Sequence, residues 1–203
     1  WIGNSYNIKP EIADQISVGY VTKVFKSNFE FTTEAYYKYL QNQIDYKDGA
    51  EINTVSDVES VLLYGIGRAY GLEFLLKKKE GRLTGWIGYT LSKTERKIEG
   101  INENNWYNAR QDRTHDISVV GIYDLNSKWS ISGVFVYNTG DAVTYPTGKY
   151  TIQGQTLYQY AARNANRMPA YHRLDFSATY EKNKTKRMHG SWNFSLYLSL
   201  IHI

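Results

Sequence analysis

The sequence predicts an all-β fold, an antiparallel meander of about eight long strands. Apolar and polar residues alternate in runs well beyond the ~5–6 residues of an ordinary strand. The chain has only 3 Pro residues to interrupt such runs, and its connections are alternately short and long. Runs of this length can supply the ~9–11 residues with which a tilted strand crosses a bilayer. We therefore expect the strands to form part of a transmembrane β-barrel.

The clearest alternation lies in a hairpin at residues 64–96, whose two arms flank a charged, Gly-containing turn at 79–82. One parity carries large apolar side chains, which we expect to face lipid: Leu72, Phe74, Ile87 and Tyr89. The other parity carries glycines, which we expect to line the lumen of the barrel: Gly65, Gly67 and Gly71. The turn at 79–82 is then expected on the periplasmic side.

The remaining strands follow from the same period of two residues. Before the hairpin, apolar residues alternate at 12–24 and at 29–44, and a short turn at 26–28 separates the two runs. After the hairpin, four more runs alternate: 113–125, 130–138, 173–180 and 191–198.

The connections fall into two groups. Those at 26–28, 79–82, 126–128 and 183–189 are short, whereas those at 45–60, 97–112 and 139–170 are long, polar and aperiodic. Outer-membrane barrels have short periplasmic turns and longer extracellular loops. This rhythm favours a membrane barrel over the alternative, a soluble β-sandwich, which need not collect its long loops at one end.

Composition narrows the possible functions. With no Cys, the chain has no disulfide framework and no thiolate metal site. The net charge of +4 is dispersed along the chain, so we expect no nucleic-acid partner, which would need a clustered basic face. Tyr, at 19 residues, suits membrane interfaces, where one end of the ring is apolar and the other is hydrated.

No catalytic residues, metal site or cofactor are expected. The glycines from Gly65 to Gly71 have the wrong spacing for a dinucleotide fingerprint and precede a strand rather than a helix. His115 lies among carboxylates but has no second His at ligand spacing. An outer-membrane hydrolase would need Ser, His and a carboxylate together on one inward face, and no oxyanion site accompanies the candidates on the fifth strand.

The long loops carry the candidate ligand contacts. Tyr and Trp offer flat faces to sugars or planar groups, while Arg and Asn hydrogen-bond polar or anionic groups. The alternative is that these side chains pack the loops or form an interface girdle. The candidate substrate-binding residues are Asn105, Trp106, Tyr107, Arg110, Tyr145, Tyr150, Tyr158 and Arg163.

Three sequence segments carry a family likeness: GRAYGLE at 67–73, GWIGYTLS at 85–92 and YHRLD at 171–175. Together with QDRTHD at 111–116 and in this order, they resemble the C-terminal barrel region of TonB-dependent outer-membrane receptors. The likeness extends from about residue 10 to residue 197. After Tyr197 the sequence departs from the family pattern, so we expect residues 198–203 to be a non-native tail.

The resemblance implies that residues 1–203 are the C-terminal portion of a receptor barrel of about 22 strands with a plugged lumen. An N-terminal plug domain would precede it, and this fragment alone would form an open, curved sheet. The implied location is the outer membrane of a Gram-negative bacterium. The implied partners are outer-membrane lipid, the plug domain, the TonB complex and a scarce nutrient: an iron chelate, a corrinoid, a glycan or a peptide. The alternative is a small complete barrel with a structural or adhesive role.

Overall fold

The structure is a computed structural model, which describes residues 8–25, 28–49, 58–182 and 190–200. The predicted connection at 183–189 lies outside the described residues, as do parts of the predicted turn at 26–28, of the loop at 45–60 and of the tail at 198–203. No described residue belongs to a helix long and apolar enough to cross a membrane.

The described residues form thirteen β-strands and two short 3₁₀ turns, at Val58–Val61 and Asn102–Asn104. In chain order the strands are β1 (Ile12–Val24), β2 (Phe29–Tyr46), β3 (Leu62–Lys78), β4 (Leu83–Ile98), β5 (Tyr107–Asn108), β6 (His115–Asp124), β7 (Trp129–Asn138), β8 (Ala142–Val143), β9 (Pro146–Ile152), β10 (Gln155–Tyr160), β11 (Asn166–Arg167), β12 (Tyr171–Glu181) and β13 (Ser191–Leu200).

Eight long strands form one antiparallel meander in the order β1-β2-β3-β4-β6-β7-β12-β13, which confirms the predicted fold class. Among the described residues β1 and β13 do not pair with each other, so the sheet is open at both edges, as the sequence analysis predicts. The small complete barrel would require that pairing.

The sheet has one apolar and one polar face. Phe31, Phe74 and Tyr89 stack in a row across three neighbouring strands, with ring centroids 6.4 and 6.2 Å apart. Glu73 lies on the other parity, directly between Glu34 and Thr90. Because directly paired residues of antiparallel strands share a face, the predicted division of the hairpin is confirmed: the glycines lie on the polar face, and the large apolar side chains on the other.

Close approach of a neighbouring strand explains two of these glycines. A Cβ atom on Gly65 would lie 2.2 Å from the main-chain oxygen of Lys97. A Cβ on Gly71 would lie 2.7 Å from the main-chain oxygen of Leu91. The glycines therefore make room for the backbone of β4, a more specific requirement than the open lumen that the sequence suggested.

The third long connection is more ordered than the sequence indicated. Residues 139–170 contain the β9–β10 hairpin and a short β8–β11 pair. Gln153 and Gly154, at the tip of the hairpin, both have left-handed φ values, of 49° and 82°. This is the geometry of a two-residue type I′ turn, which matches the twist of the flanking strands.

The second strand also runs further than expected, to Tyr46, past a bulge where the register shifts between Leu40 and Gln43. The bulge residue Asn42 has φ 54°, a left-handed conformation that Asn tolerates better than most residues. Because the bulge resets the parity, the alternation seen before residue 40 does not continue to Tyr46.

Candidate ligand site at the long-loop end

All three long connections lie at the same end of the sheet. Neighbouring strands alternate in direction, and each long connection follows a strand that runs toward this end (β2, β4 or β7) and precedes a strand that runs away from it. A small apolar cluster of Ile98, Ile101 and Tyr107, all nearly inaccessible, lies within the second long connection, and Leu63 of β3 packs against it. This cluster anchors the second loop to the end of the sheet.

One ion pair fastens the third loop to the second. The Asp112 side chain is fully buried and forms an ion pair with Arg167. Asp112 Oδ1 also accepts a hydrogen bond from the main-chain N of Thr94 at 2.6 Å. Arg167 donates in addition to the main-chain oxygen of Asp112 at 2.7 Å and to Thr114 Oγ1 at 3.0 Å. We call Asp112, Arg167, Thr94 and Thr114 the loop clamp.

A second set of contacts joins the same two loops. Asn164 Nδ2 donates to the main-chain oxygen of Asn108 at 2.8 Å, and within the third loop the main-chain N of Asn164 donates to Thr144 Oγ1 at 2.9 Å. The main-chain N of Ala142 donates to the main-chain oxygen of Arg110 at 3.0 Å. These bonds satisfy loop backbone that would otherwise be costly to bury.

Asp45, at the end of β2, links all three loops. Arg163 donates through Nη2 to Asp45 Oδ1 at 2.7 Å and through Nη1 to Asp48 at 2.9 Å. The Tyr107 hydroxyl donates to Asp45 Oδ2 at 2.8 Å. Burial, and then the negative charge of Asp45, raise the pKa of Tyr107 well above its usual range, so Tyr107 remains a neutral hydrogen-bond donor.

A cavity of about 1000 Å³ opens beside this network on the polar face of the sheet. Its position follows from Arg96, which lines it and pairs in register with Gly67 on the polar face. The polar lining includes Asp45, Arg96, Arg110, Gln111, Arg163 and Asn164. A cavity of this size lies at the upper end of the ~300–1,000 Å³ typical of small-molecule sites.

Two of the predicted ligand contacts, Arg110 and Arg163, line this cavity. Arg110 is exposed, whereas Arg163 is half-buried and held by two carboxylates. Tyr107 is only 4% exposed and supports the cavity from behind through Asp45.

The structure places other predicted contacts elsewhere. Asn105 lines a second cavity of about 800 Å³, together with Asp48, Tyr160 and Arg163. Trp106 instead stacks on the Arg68 guanidinium, 4.2 Å from the ring centroid. Since Arg68 pairs with Glu95 and Tyr39 on the apolar face, Trp106 lies on the opposite side of the sheet from the cavity.

The three predicted tyrosines of the third loop belong to the β9–β10 segment. Tyr145, Tyr150 and Tyr158 are 45%, 51% and 56% exposed. Every residue of 146–160 is exposed except Gly148, which is half-buried. These aromatic rings form an outlying surface and do not line the larger cavity.

Sequence reasoning missed Asp45 and Arg96. Arg96 carries a usable signal, because it is a charged residue on the same face of the hairpin as the glycines. Asp45 gives none, because the bulge at Asn42 shifts the parity of the strand before it.

His115 lies on the apolar face, where its Nδ1 is 2.9 Å from the Tyr89 hydroxyl and the two rings stack. Within the described ranges, no group of three His, Cys, Asp or Glu side chains is arranged to hold a metal ion. The part of the chain that the structure describes therefore presents a polar, arginine-lined cavity rather than a metal centre.

A meander of long strands with one apolar and one polar face, and with its long loops gathered at one end, defines the wall of an outer-membrane-type β-barrel. The family model described as TonB dependent receptor-like, beta-barrel, matches residues 2–200. The chain belongs to this family, whose members are outer-membrane receptors and transporters and are not generally enzymes. A comparison with curated proteins finds no match.

Proposed function

We propose that this chain forms part of the wall and of the extracellular mouth of a receptor that imports a scarce nutrient with energy relayed by TonB. The observation that carries the proposal is the separation of the sheet into two faces and two ends. The apolar face suits lipid, while the polar face and the long loops border an arginine-lined cavity at one end.

The proposal assigns the long loops to the outside of the cell and the short turns to the periplasm. A plug domain of the same protein would fill the lumen below the cavity, and TonB would act on that plug. The nutrient would first meet the exposed β9–β10 hairpin and then the arginine-lined cavity. Six of the eight predicted contact residues remain candidates for this path: Asn105, Arg110, Tyr145, Tyr150, Tyr158 and Arg163. Tyr107, which is 4% exposed, and Trp106, which lies on the opposite face of the sheet, are not assigned to it.

Because the chain contains no Cys, single cysteines can test the orientation in living cells. Thr156→Cys lies in the exposed hairpin, and its matched partner Ser127→Cys lies in the short turn between β6 and β7. A maleimide too large to pass through porins should label Thr156→Cys in intact cells, but Ser127→Cys only after the outer membrane is opened. Labelling in the reverse order would overturn the assignment.

Energy coupling needs a separate experiment. Nutrient fractions are prepared from the growth medium, and a fraction is chosen on which growth requires this protein. Growth on that fraction should stop when the gene for TonB is deleted, and also when a protonophore dissipates the proton gradient. Growth that depends on the protein but not on TonB would exclude import by this mechanism. A structural or adhesive barrel would give no nutrient-dependent growth at all.

A further inference from the structure

The charges around the larger cavity are not balanced. Its lining contains four basic side chains, Lys9, Arg96, Arg110 and Arg163, and two acidic ones, Glu11 and Asp45. Arg163 and Asp45 neutralise each other at 2.7 Å. The remaining lining carries Lys9, Arg96 and Arg110 against Glu11 alone, so the cavity is electropositive.

Arg96 has unused hydrogen-bonding capacity. Its Nη1 donates to the main-chain oxygen of Ile44 at 3.1 Å. Its Nε is buried and has no hydrogen-bond partner among the described residues. Because Nε is buried, a ligand in the cavity would reach Arg96 through Nη2, for which the described residues provide no hydrogen-bond acceptor. No carboxylate in the described part of the chain forms an ion pair with Arg96 to provide one.

Arg110 presents a second guanidinium to the same space. Its main-chain oxygen accepts from the N of Ala142 at 3.0 Å, which fixes the backbone beside the cavity. Its side chain is exposed and has no ion-pair partner within the described ranges. The backbone of Arg110 is thus fixed in position, while its guanidinium charge remains available to a ligand.

We propose that Arg96 and Arg110 bind an anionic group of the imported molecule, a carboxylate or a phosphate, so that the substrate class is anionic rather than neutral. The planar guanidinium forks match carboxylate and phosphate geometry and form stronger hydrogen bonds than neutral donors do. This inference rests on the proposed receptor function. Arg163 is left out of this anion site, because its ion pairs with Asp45 and Asp48 already neutralise its charge.

The test uses citrate as a probe of carboxylate binding, inorganic phosphate as a probe of phosphate binding, and glucose as a neutral control. Binding to the purified full-length protein in detergent is measured by calorimetry at low salt. Citrate, phosphate or both should bind, while glucose should not. Arg96→Gln and Arg110→Gln should each raise the Kd of the bound anion at least tenfold. Whichever anion binds identifies the group.

The matched control is Arg82→Gln, in the turn at the opposite end of the sheet, which should leave the Kd unchanged. Because Arg96 contacts the main chain, Arg96→Gln needs a check of folding by heat-modifiable gel mobility. Arg110→Gln removes no contact within the described residues and remains informative if Arg96→Gln does not fold. Equal anion affinity in Arg110→Gln, Arg82→Gln and the parent protein would overturn the inference, as would failure of both anions to bind the parent.

The two proposals fail in different ways. Loss of the anion site would leave the cysteine labelling pattern and the TonB dependence of growth intact. Reversed labelling or TonB-independent growth would refute the receptor function, whatever the affinity for citrate or phosphate.

Discussion

Two parts of the same long connection differ sharply in how they are held. Residues near its ends, including Asn164 and Arg167, are fastened to the second loop by buried and half-buried hydrogen bonds. Its middle, the β9–β10 hairpin, has its aromatic side chains half exposed or more. The ends of this loop therefore build the cavity, whereas the hairpin is a separate local fold that the cavity does not need for support.

The largest expected effect comes from the loop clamp. Asp112→Ala would leave Arg167 without its buried partner, and breaking such a pair typically costs about 3–5 kcal/mol. Urea unfolding of the protein in detergent should show this loss. The control is Asp141→Ala, which breaks an exposed pair with Arg113 and should cost no more than about 1 kcal/mol. Equal losses would show that the clamp does not hold the loop.

Two Gly→Ala substitutions, one in the loop ends and one in the hairpin, compare how tightly these two parts are packed, because each adds only a methyl group. A Cβ on Gly140 would lie 2.0 Å from the main-chain oxygen of Met168, so Gly140→Ala should push the loop ends apart and cost about 1–3 kcal/mol. A Cβ on Gly148, in the hairpin, would meet Gln159 at an ordinary 3.6 Å. Gly148→Ala should therefore be neutral or slightly stabilising in the same assay. Similar costs for both substitutions would show that the loop ends are no more tightly packed than the hairpin.

A smaller effect should appear at alkaline pH. The folded protein raises the pKa of Tyr107, while an unfolded Tyr ionises near pH 10. The stabilisation is therefore complete below about pH 10 and is lost as pH rises toward the folded pKa, by at most about 1.4 kcal/mol per pH unit. Unfolding free energies between pH 9 and 11 should fall less steeply for Tyr107→Phe than for the parent. The unfolding free energy of Tyr158→Phe, in the hairpin, should depend on pH as that of the parent does. The same pH dependence in Tyr107→Phe as in the parent would refute a raised pKa for Tyr107.

The smallest effect is expected in the hairpin itself. Tyr150→Ala and Tyr158→Ala remove exposed rings and should each change the unfolding free energy by less than about 0.5 kcal/mol. Brief chymotrypsin digestion of the native protein should cleave within 146–160 before it cleaves any long strand, and the cleavage sites can be identified by mass spectrometry. A loss above about 1.5 kcal/mol from either substitution would show that the hairpin packs against the rest of the loop.

The period of two residues was sufficient to predict the eight long strands, their antiparallel order and the two faces of the central hairpin. It did not reveal the β9–β10 hairpin, because the alternation there involves Tyr, Thr and Gln rather than clearly apolar and polar residues. The alternation also changes parity after the bulge at Asn42 in β2, so it did not predict on which face of the sheet Asp45 lies.

The candidate site was predicted only in part, for a related reason. Residue type pointed correctly to aromatic and basic residues in the loops, but whether a side chain lines a cavity depends on contacts distant in sequence. Arg163 meets Asp45 across 118 positions, and Trp106 lies on the opposite face from Tyr107 only because β5 pairs with β4. No local pattern encodes such contacts.

The connection between β7 and β12 also sets an order of events for folding. The turn between β6 and β7 leaves four residues unpaired, whereas 32 residues separate Asn138 from Tyr171. Closing the longer loop costs about 1.8 kcal/mol more in chain entropy. The β9–β10 hairpin shortens the effective loop, since it can form early from contacts close in sequence. Pairing of β12 with β7 is therefore expected to be the slow step in assembling this sheet, and the loop clamp forms when that step is complete.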